Sequence, residues 1–425
     1  MLQWVTKQKT GAPILKILLS AIACNPVTGS DAYFGWSAVQ ALSSLGQVHV
    51  LTHGFSRGYI TPDDEARLPG VTFHFIGEAA ALSKNGLLAR IQSWEGCRTW
   101  QAQLLLPHAR ALHAKEGFDL AHHVTISSWR LPSPLWQLGI PLIWGPLGGG
   151  EEVPGKFRHL LSPSTRAFEL FRHITSRVSR MSPSLKQCAK HSKIALAANS
   201  ETSDALGGLG CHRIELLSPA FFSDERIERL REGLTEKNWA GPLRIFSGGN
   251  LEGRKGVAIS LRALARLKGE GIRFQYRLGG GGAEGSFLRN LAADLGLSGD
   301  DVVFGDALSG RTYTDELHAS HIYLLPSLRE NAGLTMMEAM LAGCVPVVLK
   351  LGGPGEIVTP ECGFAVEALN PEKVIEGIVA CLRELDCNRA RAKELGGASS
   401  NRVSLHYSQA SYLGTIQQLY RELLA

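Results

Sequence analysis

The chain of 425 residues has no CxxC pair, no zinc-type ligand spacing, no short-period repeat and no low-complexity tract. Its eight cysteines (Cys24, Cys97, Cys188, Cys211, Cys344, Cys362, Cys381 and Cys387) are dispersed. That distribution excludes a small disulfide scaffold and points to reduced thiols and a cytoplasmic protein. Long apolar runs are also missing. Ile14 to Ala23 is interrupted by Lys16 and is too short to span a bilayer, so neither a signal peptide nor a transmembrane helix is expected. Charge of one sign is scarce as well: 44 Lys and Arg stand against 39 Asp and Glu, a formal net charge of +5. Such a balance gives no indication of nucleic-acid binding and suits an anionic small ligand or an acidic membrane surface. What is present is 44% hydrophobic and 20% charged sequence, long enough for two cores of ordinary domain size.

Short β-prone runs alternate with longer helical or loop segments. Strands are expected near Pro13 to Ala23, from Val48, and at Phe118 to Thr125, Ile140 to Pro146 and Lys193 to Ser200, with a helix around Ser37 to Leu45. The rhythm restarts with Leu243 to Gly249, a helix Val257 to Leu267, then Phe274 to Gly282, a helix near Phe287 to Leu295, Val302 to Gly305, Ile322 to Ser327 and Val345 to Leu349. Two parallel α/β domains follow from this pattern, 1–215 and 216–404, joined near Leu216 to Glu236, with a last helix in 405–425 packing back on the first. Two doubly wound, Rossmann-like sheets bind ligands at the carboxyl ends of their strands, so the expected site is a central cleft that both domains face.

Within PSLRENAGLTMMEAMLAG, Pro326 to Gly343, Asn331 can cap a helix whose first turn is Ala332, Gly333 and Leu334. Leu334, Met337, Leu341 and Ala342 then share one side, and Glu338 lies four residues after Leu334 on that side. A carboxylate there needs a partner, an unusual pKa or a ligand, or else a partly exposed helix that leaves it solvated. Loops poor in side chains follow several strands: Gly29, Ser30 and Gly35; Gly279 to Gly282; and Asn331 to Gly333. Backbone N–H groups in such loops can approach phosphate closely. Gly280, Gly282 and Gly285 also satisfy GxGxxG, with Asp306 about twenty residues on, a weak dinucleotide signal.

RENAGLTMMEAMLAGCVPVVLKLGGPGEIV resembles the donor-sugar signature of glycosyltransferase family 4, with Glu330 and Glu338 at the family's spacing. GNLEGRKGVAISLRAL, LGGGGAEGSFLRNLAADLGL and VVFGDALS resemble the family's other C-terminal blocks in order, and ACNPVTGSDAYFGW, FDLAHHVT and IWGPLGGGEEVP its N-terminal blocks. The resemblance implies a GT-B fold and retaining transfer from a UDP- or GDP-linked sugar to a saccharide or lipid-linked acceptor, with no cofactor and no metal. By position, Glu338 would hold the ribose hydroxyls and Glu330 the donor sugar. The amides of Asn331, Ala332, Gly333 and Leu334 would face sugar and diphosphate, with Gly282, Gly29 and Ser30 in the phosphate loops. Lys255 matches the family's cation; the arginine usual five residues earlier is Asn250 here, so Arg254 is the candidate substitute. The active-site histidine falls at His122 or His123, of which strand alternation lets one face the cleft; His123 is preferred. Glu151, Glu152 and Gly148 to Gly150 are expected to line the cleft.

One stripe of the helix expected over 163–180 carries Ala167, Leu170, Phe171, Ile174 and Val178, ringed by Arg166, Arg172, Arg177 and Arg180. It reads either as a core-packing helix or as a basic amphipathic helix resting on an anionic membrane at its inner face. The rival functions are a non-catalytic nucleotide-sugar or glycan-binding protein on the same fold and, less well supported, an NAD-dependent enzyme.

Overall fold

A computed structural model describes residues 14–27, 29, 31–77, 96–234 and 237–425. Seven parallel strands form the first sheet: β1 (Lys16–Ala21), β2 (Gln47–His53), β3 (Val71–Ile76), β4 (Leu120–Thr125), β5 (Leu142–Leu147), β6 (Ile194–Ala197) and β7 (Ile214–Leu216). Their order is 3-2-1-4-5-6-7. The second sheet has six: β8 (Leu243–Gly248), β9 (Phe274–Gly279), β10 (Val302–Gly305), β11 (Ile322–Leu325), β12 (Val345–Leu349) and β13 (Phe364–Val366), in the order 10-9-8-11-12-13. Every residue of β4, β5, β11 and β12 is buried, because helices cover both faces of a parallel sheet. The strands absent from the sequence reading are β3, β7 and β13. All three are edge strands, and β7 and β13 are only three residues long, too short to register as apolar runs.

The helices that matter below are α1 (Asp31–Leu42), α2 (Pro163–Ser179), α3 (Asp224–Arg231), α4 (Val257–Gly269), α5 (Gly285–Asp294), α6 (Gly310–Ala319), α7 (Leu334–Leu341) and α8 (Gln409–Leu424). In each sheet the strand order reverses once, between β1 and β4 and between β8 and β11, and the loops leaving those strands open at the switch points where ligands of such sheets bind.

Two compact units result. One combines the described residues up to Gly150 with Ile174–Phe221 and Gln409–Ala425; the other combines Glu151–His173 with Phe222–Ser408. A single boundary at 215 therefore misplaces 151–173, whose Val153, Phe157 and Leu161 lie in the second unit's core with Leu251, Leu261 and Leu288. In the first unit, Tyr412, Ile416, Leu419 and Tyr420 of α8 join Ile17, Leu19 and Val50.

His122 and His123 are both fully buried, and burial lowers each to about 4. The unfolded chain takes up their protons below its ordinary value of about 6.5, whereas the folded chain does so only near 4. Stability should therefore fall as pH drops through that window, by at most about 1.4 kcal/mol per pH unit for each histidine. Urea unfolding between about pH 7 and about pH 5 measures the slope. His122→Gln should flatten it, and an unchanged slope would show that His122 does not titrate on unfolding.

Candidate functional site

The second sheet's switch point is built from two loops. After β8 the chain passes through Gly249 and Asn250, both exposed, into a single 3-10 turn, Gly253–Lys255, and then into α4. Gly256, at φ 70°, joins turn to helix, and a Cβ there would lie 2.0 Å from the Pro326 carbonyl oxygen. Only glycine permits that approach. It draws the turn against the loop after β11: the Leu328 amide donates to the Arg254 carbonyl at 2.7 Å and the Ser327 hydroxyl to the same oxygen at 3.1 Å.

Three sequence candidates meet there. Lys255 Nζ donates to Glu330 Oε2, and Arg254 Nη1 donates to the same oxygen at 3.2 Å. Arg254 also holds Glu252 at 2.6 Å and the Arg329 carbonyl at 3.1 Å. Burial alone would raise the Glu330 carboxyl, but Lys255 and Arg254, helped by Arg329, outweigh it and hold it at about 2. Arg254 thus supplies a second cation beside Lys255, while Asn250 stays on the exposed loop. Arg329 is itself clamped by the nearly buried Glu169 of α2, with Nε to Oε2 at 3.2 Å and Nη2 to Oε1 at 2.8 Å.

Two expectations for the next helix need correcting. It begins at Leu334 rather than Ala332, and the residue capping it is Gly333, in the left-handed region at φ 69°; Asn331 and Ala332 form the bend before it. Nor is it one-sided, since every residue from Met336 to Leu341 is buried. Glu338 is neither solvated nor waiting for a partner. It is 3% exposed; Arg226 Nη2 of α3 donates to Oε1 and the Tyr313 hydroxyl of α6 to Oε2 at 2.8 Å. Burial, then the Glu338 charge, pushes the Tyr313 hydroxyl well above its ordinary value, so it stays a donor. No local sequence signal announces Arg226 or Tyr313, which come from helices remote in sequence. Arg329 could have been suspected from its place beside Glu330.

Gly282 is exposed, and a Cβ on it would meet the Leu251 carbonyl oxygen at 2.5 Å; one on Gly280 would meet that of Gly249 at 2.2 Å. Close approach of two loops accounts for these glycines. The GxGxxG string follows β9, the second strand of its sheet in chain order, whereas a dinucleotide fingerprint occupies the turn after the first, so the dinucleotide reading lacks its structural context. Glu151 is buried against Gly352, and Arg172 Nη1 donates to its carbonyl at 2.6 Å, whereas Glu152 is exposed and paired with His173 at 2.7 Å.

At the first sheet's switch point Gly29 is exposed with open space where a Cβ would stand, and Ser30 lies outside the described residues. Asp31, first residue of α1, accepts from the Ser127 amide at 3.3 Å and so ties the loop after β1 to the loop after β4; burial raises its carboxyl despite Ser127. The Gly148 amide donates to the Ser127 carbonyl at 3.0 Å. Contrary to the alternation argument, neither histidine is exposed, because the sheet is covered on both faces. His122 is satisfied by the Tyr420 hydroxyl at 2.7 Å and the Gly145 carbonyl at 2.8 Å. His123 Nδ1 lies 3.2 Å from the Ser20 hydroxyl. Among the described residues no group of three His, Cys, Asp or Glu is placed to hold a metal ion.

Two parallel α/β units with these strand orders have the GT-B architecture. Residues 235–394 match the family described as glycosyl transferases group 1. The chain is 29% identical over 187 residues to D-inositol 3-phosphate glycosyltransferase of Acidothermus cellulolyticus, covering 42% of this chain and 40% of that one. It spans less than half the length of the first curated relatives it matches. Among solved structures, sucrose-phosphate synthase from Thermosynechococcus elongatus superposes with a TM-score of 0.63 at 18% identity, over 96% of this chain and 99% of that one. HepE of Anabaena in complex with UDP and glucose gives 0.57 at 16%, over 96% and 100%. These two likenesses speak for the fold alone.

Proposed function

We propose that the protein is a retaining, metal-independent glycosyltransferase of the family 4 type, transferring a sugar from a UDP- or GDP-linked donor to a saccharide or lipid-linked acceptor, in the cytoplasm or at the inner face of a membrane. The observation that carries this reading is the cluster of Arg254, Lys255 and Glu330 at the switch point of the second sheet. Two cations converge on one carboxylate beside loops of low side-chain bulk, an environment suited to a departing diphosphate. Lys255 and Arg254 take up the charge that develops as the donor bond breaks. Glu330 accepts hydrogen bonds from donor-sugar hydroxyls. Glu338 has four lone-pair positions and uses two on Arg226 and Tyr313, so ribose hydroxyls can donate to the others. The amides at Asn331 to Leu334 and the Gly282 loop serve the sugar and diphosphate. The loop carrying Gly29 and Ser30 serves the donor phosphate and the acceptor. His123, the preferred active-site histidine, is assigned a positioning role as a neutral imidazole held to Ser20.

Thermal stabilisation by a panel of UDP- and GDP-sugars should single out the donor. With that donor, wild-type protein should release free nucleoside diphosphate, and Lys255→Ala should release at least about tenfold less, the loss of one charged contact of about 1.4 kcal/mol or more. Stabilisation without release above background, with any acceptor tried, would make the protein a nucleotide-sugar-binding protein instead.

A further inference from the structure

Helix α2 is amphipathic in the reverse of the usual sense. Its buried residues are polar: Glu169, Arg172 and Ser176 are 6%, 5% and 4% exposed and fall on one face by three- and four-residue spacing. Glu169 grips Arg329 and Arg172 the Glu151 carbonyl, so this face is fixed inward by directional bonds. The apolar stripe points out. Leu170, Phe171, Ile174 and Val178 are 42–60% exposed, Ala167 is exposed, and Met181 just beyond the helix is 75% exposed. A core-packing helix does not present this face to solvent, and Arg172, expected at its rim, is inside.

The charge around the stripe says what covers it. Between residues 153 and 200 there are nine Lys and Arg and one acidic residue, 9 − 1 = +8, although the whole chain is only +5. The single carboxylate, Glu169, is turned inward to Arg329, while Arg166, Arg177 and Arg180 are exposed. Two copies of the chain meeting through this helix would set like charges against each other. A bilayer with anionic headgroups satisfies both features: the apolar side chains enter the headgroup and acyl boundary, and the arginines stay among the phosphates.

We infer that α2 docks the protein on an anionic lipid surface through Leu170, Phe171, Ile174, Val178 and Met181. Co-sedimentation of the full chain with vesicles tests this, comparing phosphatidylglycerol mixed into phosphatidylcholine with phosphatidylcholine alone. Binding should require the anionic lipid and weaken with salt. Arg177→Glu should lower the partition coefficient by at least about fivefold, and Ile174→Asp with Val178→Asp should reduce it to background, both with an unchanged melting temperature because these positions are exposed. No binding of the wild type to anionic vesicles would overturn the inference, as would equal binding to both lipids or binding indifferent to the double substitution. A self-association that the double substitution disperses would overturn it in favour of a second copy. None of these readouts uses a nucleotide sugar, so they succeed or fail separately from the transferase reading.

Discussion

Glu330→Ala is expected to lower the unfolding free energy by about 3 to 5 kcal/mol, because it strips Lys255 and Arg254 of their shared carboxylate and leaves two cations largely buried. The side chains of Glu330, Lys255 and Arg254 are 14%, 15% and 23% exposed, so solvent screens the cluster only partly. Urea denaturation reads the effect. Removing Lys255 as well should return part of the loss, since one stranded charge goes with it, and the double-mutant cycle isolates the coupling. If the urea midpoint stays put, the three side chains do not form the ion cluster described. In turnover the same substitution should cost about 1.5 to 3 kcal/mol of transition-state binding and affect kcat/KM more than nucleotide affinity. A fall of less than about threefold would end the sugar-contact assignment.

For Glu338→Gln, two measurements should move together. The amide keeps the shape and one acceptor but loses the charge that faces Arg226, so the ligand-free protein should be less stable by about 1.5 to 3 kcal/mol. An imperfectly paired carboxylate would give the opposite sign; the contacts to Arg226 and Tyr313 decide for a loss. Stabilisation by nucleoside diphosphate should also shrink if ribose hydroxyls use the remaining lone pairs. Arg226→Ala supplies the contrast: it should cost stability while the ligand-induced shift survives. If Glu338→Gln lowers stability but leaves that shift intact, Glu338 is a structural anchor for α3 and α6 and the ribose assignment falls.

The core strands were legible because their burial on both faces writes a continuous apolar run into the sequence, as in VPVVL and IYLL. Edge strands of three residues write no such signal. At the site, glycine turns and the Glu330 to Glu338 spacing are local features that a sequence displays directly. The pairing of Lys255 with Glu330 spans seventy-five residues, and that of Arg226 with Glu338 a hundred and twelve. Such contacts depend on which helices the sheet order brings together, and DERIERLR reads as an ordinary solvated helix until α7 is set beside it. The start of α7 departs from the cap that propensity favours for a local reason: Asn331 is the better cap by propensity, but Gly333 takes the left-handed conformation that turns the chain into the helix.

The second unit's core is not encoded in one piece, and this bears on how such proteins can be recombined. Exchanging the second half between relatives as a single block from residue 216 onward would strand Val153, Phe157 and Leu161 on the wrong parent. It would also pair the incoming loop's Arg329 position with a foreign residue at 169, two steps from the carboxylate assigned to the sugar. A chimera that carries 151–173 along with 222–408 respects the packing; one cut at the linker exchanges a chain segment and leaves the folding unit divided.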